Sequence, residues 1–223
     1  MSLALTLATT GAVLSIACQP TSAKAPVASA SASSSAEPST GWAGRWATFR
    51  SKRFGVVLPL PDGPSWKIDD HNTPWLTATH EPTKSSIKLR ILLGDEPFTS
   101  QRCEDRIRQI EPTLPSRSNK DAVDLGAVDG LSEWDATAFA VIAPHPADKS
   151  KTLARYLLTA AHVRKCMVIY VSTEASGPTA GAVLGDRLGD VAQGIVARLK
   201  LDAGIETDPP RLPRPPTPST GTP

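Results

Sequence analysis

Asp69-Asp70-His71, with His80 nine residues further on, is the stretch whose residue types most suggest chemistry. Two carboxylates and two imidazoles can ligate a divalent cation or polarise a water for metal-assisted hydrolysis. The spacing argues the other way. His-x8-His across a turn matches no recognised ligand pattern, and no helix carries His and Glu at i, i+4. The plainer reading is a solvated turn between Trp66 and Trp75. Other nucleophiles fare no better: Ser132 in Gly130-Leu-Ser-Glu-Trp and Ser65 in Gly63-Pro-Ser-Trp lack the glycines of a nucleophile elbow. His145 lies between prolines in Ala143-Pro-His-Pro146, which reads as a loop tip, and no glycine loop is present to cradle phosphate. The expectation is therefore a non-catalytic chain without cofactor or metal. An envelope hydrolase using Asp69, Asp70 and His71 is the competing enzyme reading.

Two further patterns suggest surfaces. Gly181-x3-Gly185-x3-Gly189 repeats on one helical face, and Asp186, Arg187 and Asp190 between and beside them forbid burial in lipid. Glycine costs up to about 1 kcal/mol per helical site, so three of them need a reason. Close packing against a neighbour is the plainer one, and a docking groove for a partner is the other. Arg45-Trp-Ala-Thr-Phe-Arg-Ser-Lys-Arg53 interleaves cations with aromatics. Arg45, Arg50, Lys52 and Arg53 suit anionic headgroups or a glycan, or else the charged outer face of a first strand.

Three cysteines divide into one plus two. Residues 1–17 form an uncharged apolar leader, too short for the roughly 20 residues a membrane span needs. At its end, Leu14-Ser-Ile-Ala-Cys18 resembles a bacterial lipoprotein lipobox. The leucine stands four residues before the cysteine instead of three, and no Lys or Arg precedes it, so an upstream start is one reading of Met1. The resemblance implies removal of the leader and acylation of Cys18, which would hold the protein on the extracytoplasmic side of a bacterial envelope membrane. Gln19 in place of an aspartate points to the outer membrane if there are two. A simple secretory signal cut near Ala17 is the alternative. Either way, Cys103 and Cys166 would meet an oxidising compartment and are expected to pair. Closing a loop of that length is worth about 4 kcal/mol in the chain-entropy model. A free Cys166 lowered in pKa by Arg164 and Lys165 is the other reading.

These residues need a scaffold. Residues 18–41 read as a Ser/Ala/Pro tether, and residues 205–223 as a Pro-rich tail with P-x-x-P spacing, a stiff solvated spacer. Between them, 42–204 is long enough for one domain with a sizeable core. Net charge is +2 from 24 basic and 22 acidic residues, without the concentrated basic face a nucleic-acid binder needs. Strand signals cover Phe54–Leu60, Trp75–His80, Ser86–Leu92, Trp134–Ile142, Thr152–Val163 and Lys165–Thr173. In the third, Ile87, Leu89 and Ile91 face one side and Lys88 and Arg90 the other.

Helical spacing covers about Ser100 to Glu111, capped by Thr99 or Ser100. Cys103, Ile107 and Ile110 share one face there, and Glu104 and Arg108 form an i, i+4 pair. A second helix spans about 180–201, with Leu184, Leu188, Val191, Ile195 and Leu199 on its apolar face. Strands, helix, strands, helix predicts an α+β fold, an antiparallel sheet with two main helices packed on it. Cys103 on a core-facing helix and Cys166 early in a core strand would then meet where helix lies on sheet.

Phe49-Arg-Ser-Lys-Arg-Phe-Gly-Val-Val-Leu-Pro-Leu-Pro-Asp-Gly-Pro-Ser-Trp66 resembles the opening of PsbP-like domains, where a strand ends in proline and a tryptophan follows. The resemblance implies a PsbP-like sandwich over about 45–202, mostly without catalysis in that family, and places no functional residue. The resulting expectation is a lipid-anchored binding or scaffolding module of the cell envelope. Its partners would be the membrane and an envelope protein or glycan, not nucleic acid. A carrier of a small apolar ligand, held between helix and sheet, is the third reading.

Overall fold

In the computed structural model, residues 42, 45–128 and 130–201 are described. The leader, Cys18, the rest of the tether and the Pro-rich tail lie outside them. Ten strands and two helices run in the order β1 (Ala47–Ser51), β2 (Val56–Leu60), β3 (Trp66–Asp69), β4 (Leu76–His80), β5 (Ser85–Leu93), α1 (Ser100–Ile110), β6 (Ala122–Ala127), β7 (Asp135–Pro144), β8 (Lys151–His162), β9 (Lys165–Ser176), α2 (Ala180–Gly189) and β10 (Lys200–Leu201). A π-helical segment, Asp190–Val196, continues α2.

The strands form two sheets, not one. Seven pair antiparallel in the order β3-β4-β5-β9-β8-β7-β6, and β1-β2-β10 form a small second sheet. The large sheet is apolar on both faces because β8 and β9 carry apolar residues on each side of the pleat. One face holds Cys166, Val168 and Leu157, with Phe139 and Val141 of β7, and α1 covers it. The opposite face holds Met167, Ile169 and Val171, with Tyr156 and Leu158. There they meet Val56, Leu58 and Leu60 of the small sheet and Val191, Ile195 and Val196 of the π segment. The architecture is α+β, mostly antiparallel, with a helix on each side of the main sheet.

The alternation in β9 and β5 matches the sequence pattern, since Ile87, Leu89 and Ile91 all face the second core. Arg90 departs from it. The alternation puts it on the polar side of β5, yet it is only 8 % exposed, because Trp75 packs over its guanidinium at 5.8 Å. Helix α1 begins as expected: Thr99 caps it, accepting from the Arg102 amide at 3.2 Å. Cys103 and Ile107 are sealed against the sheet, whereas Ile110 is an exposed end of the stripe. Glu104 does not make the expected pair with Arg108. It is buried and accepts from Arg117 Nε at 3.1 Å, which compensates a carboxylate that burial would otherwise penalise.

The second helix also differs from the expectation of one element to residue 201. After Gly189 the ladder widens to the π form, and Lys200–Leu201 leave it to pair with Val57 and Val56. Gly130 fixes the loop between β6 and β7 against this turn. Its φ is +85°, and a Cβ there would lie 2.7 Å from the Ala197 carbonyl oxygen. Gly130→Ala combines a left-handed strain with a backbone overlap, so it is expected to lower stability by about 1–3 kcal/mol. Urea unfolding measures this directly.

Candidate functional site

The candidate hydrolytic residues do not converge. Asp69 sits at the end of β3 and uses Oδ1 to accept from the amides of His71 and Asn72, both at 3.0 Å. Those turn bonds, that to Asn72 foremost, hold its carboxyl below the usual carboxylate range. Asp70 is buried and accepts from the Ser51 hydroxyl at 3.1 Å, and His71 is exposed. His80 lies at the far end of the β3–β4 hairpin, opposite Trp66 in the ladder. Among the described residues no group of three or more His, Cys, Asp and Glu side chains is arranged to hold a metal ion.

His80 belongs instead to a polar chain that sequence spacing did not suggest. Its Nε2 faces Asp62 Oδ2 at 3.0 Å and its Nδ1 faces Thr83 Oγ1 at 2.7 Å. The bond from His80 is the main reason the Asp62 carboxyl lies below its ordinary range. Acid, imidazole and hydroxyl follow the order of a nucleophilic triad, but the hydroxyl is already committed. Thr83 Oγ1 also meets Ser85 Oγ at 2.7 Å and accepts from Trp42 Nε1 at 3.1 Å. Trp66 packs on the imidazole at 5.0 Å, and Arg187 donates to Thr83 O and to Thr173 Oγ1. Such a satisfied, roofed network fixes a core.

The basic segment is divided between surface and structure. Arg45, Arg50 and Lys52 are exposed on or beside β1. Arg53 turns inward, donating to the carbonyls of Asp70 at 2.9 Å and Thr73 at 2.7 Å. It pins the β3–β4 turn and is not part of an open basic face. Trp46 is covered on one side by Arg198 at 5.0 Å.

The glycine stripe has the more informative environment. A Cβ built at Gly181, Gly185 or Gly189 meets nothing within 4 Å, so close packing does not explain these glycines. Gly185 and Gly189 form, with Leu188 and Ala192, one wall of an open cavity of about 690 Å³. The spacing i, i+3, i+4, i+7 puts those four on a single helical face. The facing wall is Val123 and Leu125 of β6 with Ala140 and Ile142 of β7, and Asp121 stands at one end. Val123 is 61 %, Leu125 44 % and Ile142 40 % exposed. These three and the glycine-flattened helix thus make one continuous apolar cleft. It falls within the roughly 300–1,000 Å³ range of small-molecule sites.

A smaller cavity of about 310 Å³ shares Leu125 and Ala192 with the first and extends it past Val128, Ala138, Gln193 and Ala197 to Tyr156. Small residues explain the space. Ala138 and Ala140 of β7 and Ala192 and Ala197 opposite leave the walls apart where larger side chains would close them. Tyr156 is 1 % exposed. Burial raises its pKa well above the usual tyrosine value, so the group remains a neutral donor.

Sequence reasoning found the helical wall and missed the other. The strand signals in the sequence leave out 122–127, although Val123-Asp-Leu125 does alternate.

No protein-family model matches the chain, and no curated protein matches it. Two solved structures superimpose in part. A protein of Bacteroides thetaiotaomicron gives a TM-score of 0.41 at 9 % identity, over 69 % of this chain and 47 % of its own. The chain thus spans about half the length of that protein. LpqN of Mycobacterium tuberculosis, described as involved in cell envelope biogenesis, gives 0.39 at 16 % identity, over 70 % and 90 %. At these scores neither likeness bears on what this chain does.

Proposed function

We propose that this chain is a non-catalytic binding module of the bacterial cell envelope, and that the cleft between α2 and the β6–β7 edge is where it binds. The observation that carries the reading is the open apolar cleft itself. Val123, Leu125 and Ile142 stay exposed around it, and two helical glycines face it with no packing partner. Exposed apolar side chains gathered on one concavity mark binding surfaces more often than scattered ones do. The extracytoplasmic address rests on the leader and on the Cys103–Cys166 bridge, a bond that oxidising compartments preserve. No helix among the described residues is long and apolar enough to cross a membrane, so attachment through an acylated Cys18 belongs to the same proposal. So does the PsbP-like character of the domain. Arg45 and Lys52, both exposed, would meet anionic headgroups or a glycan once the tether holds the domain near a surface.

The test is uptake of a neutral apolar fluorophore, phenylnaphthylamine, by the full chain. The expected result is saturable binding at one site, weakened at least tenfold by Leu125→Asp. That substitution puts a carboxylate on the cleft wall at a half-exposed position, so the melting temperature should hardly move. Absence of saturable binding, or binding indifferent to Leu125→Asp, would contradict the proposal.

A further inference from the structure

Helix α1 covers one end of its face of the large sheet, over Cys166, Val168 and Leu157. Further along the same strands that face turns polar, since its residues alternate with those of the second core. One row runs across five strands: Lys67 beside Thr79, Thr79 beside Ser86, Ser86 beside Ser172, and Ser172 beside Arg155. Neighbouring strands lie about 4.8 Å apart, so the row is roughly 19 Å long. It has a cation at each end and three hydroxyls between. Lys88 lies beside the row, across from Tyr170.

Among the described residues, none of Lys67, Lys88, Arg90 and Arg155 forms an ion pair. Arg155 Nε is buried there without a hydrogen-bond partner. The carboxylates bordering the face are engaged elsewhere. Asp69 accepts from turn amides, Glu174 pairs with Lys151 at 3.0 Å, and Glu111 accepts from the Thr113 hydroxyl at 2.9 Å. Arg90, two residues on from Lys88, has its pKa lowered by burial and then by the charge of Arg53. The face thus carries positive charge that the protein does not neutralise, and part-buried cations gain most from an anionic partner.

We infer that this row binds a linear acidic glycan, with its carboxylates on Lys67, Lys88 and Arg155 and its ring hydroxyls on Thr79, Ser86 and Ser172. The site is separate from the cleft, which opens on the other face of the sheet. The strand spacing is close to the repeat of a pyranose ring, so successive sugars can lie over successive strands. The planar fork of Arg155 matches a carboxylate in shape as well as charge. Two other polyanions fit less well. A bilayer surface meets protruding cations, whereas Lys88 and Arg155 are half-buried among their neighbours. Single-stranded nucleic acid needs successive stacking rings, whereas Tyr170 beside the row is partly packed into the core under α1.

The experiment is calorimetric titration of the full chain with octagalacturonate at low salt. Saturable binding is expected, roughly tenfold or more tighter than that of the methyl ester, which keeps the rings and loses the charge. Lys88→Gln with Arg155→Gln should weaken the acid roughly tenfold or more, the worth of a charge-assisted hydrogen bond. The melting temperature should hardly move, since neither residue gives up an ion pair. Phenylnaphthylamine uptake by the cleft should be the same in that variant, so the two sites fail separately. Equal binding of acid and ester, an unchanged affinity in the double variant, or no saturable binding overturns the inference. Tighter binding of octathymidylate than of octagalacturonate, or loss of phosphatidylglycerol-vesicle binding in the double variant, gives the row to another polyanion and overturns it too.

Discussion

Replacing Cys103 and Cys166 together by alanine is expected to lower stability by about 4 kcal/mol. The two residues are 63 apart in sequence, and the bridge closes the loop that contains β6, β7 and β8. In the chain-entropy model a cross-link of that span removes close to this much free energy from the unfolded state. Both side chains are sealed under α1, in the cluster with Ile107, Phe139 and Val168, so neither leaves a solvated thiol whose loss would be free. Alanine avoids setting a hydroxyl in that apolar layer. Urea unfolding of oxidised protein, with the double variant alongside, measures the difference. The midpoint should fall sharply, and reductant should shift the wild type toward the variant but leave the variant unmoved. A loss below about 1 kcal/mol would mean that the bridge constrains little. Because α1 and the cleft lie on opposite faces of the large sheet, ligand affinity per folded molecule should survive.

Gly185→Leu with Gly189→Leu is expected to do the reverse, abolishing ligand binding while the fold gains stability. Leucine is better than glycine in a helix by up to about 1 kcal/mol per site, and neither new side chain meets an obstacle within 4 Å of its Cβ. Both would project into the cleft and occupy the space a ligand needs. The expected result is dye affinity reduced by at least tenfold, or about 1.4 kcal/mol, together with a higher melting temperature. A stripe of glycines kept at a cost to the helix makes physical sense if the open wall is used. If the double variant binds as the wild type does, the glycines serve something other than the cleft. If it unfolds, the space read beside them is not there.

Much of the scaffold was legible in the sequence because periodicity carries it. The period of two in Ile87-Lys-Leu-Arg-Ile91 and in Cys166–Val171, and the cap at Thr99, are local signals, and each element formed where its signal lay. The cysteine pair followed from those placements. What escaped was set by tertiary contact. Arg90 reads as solvent-facing until Trp75, fifteen residues earlier, closes over it. The π segment shifts its ladder by one residue, which the apolar spacing of Val191, Ile195 and Leu199 does not betray. Strand β6 is short and bulged, and its outward residues border an open cleft instead of a core, so its pattern is faint. The helical half of the site was visible as three glycines needing a reason. The reason sits some 60 residues away, on a strand with little signal of its own.

Methyl-detected NMR of the full chain, titrated with phenylnaphthylamine, shows most directly whether the cleft binds. Saturable shifts are expected at Val123, Leu125, Ile142 and Leu188, with Val168 and Ile107 on the opposite face unmoved. Shifts spread over both faces, or absent from those four residues at saturating ligand, would contradict it.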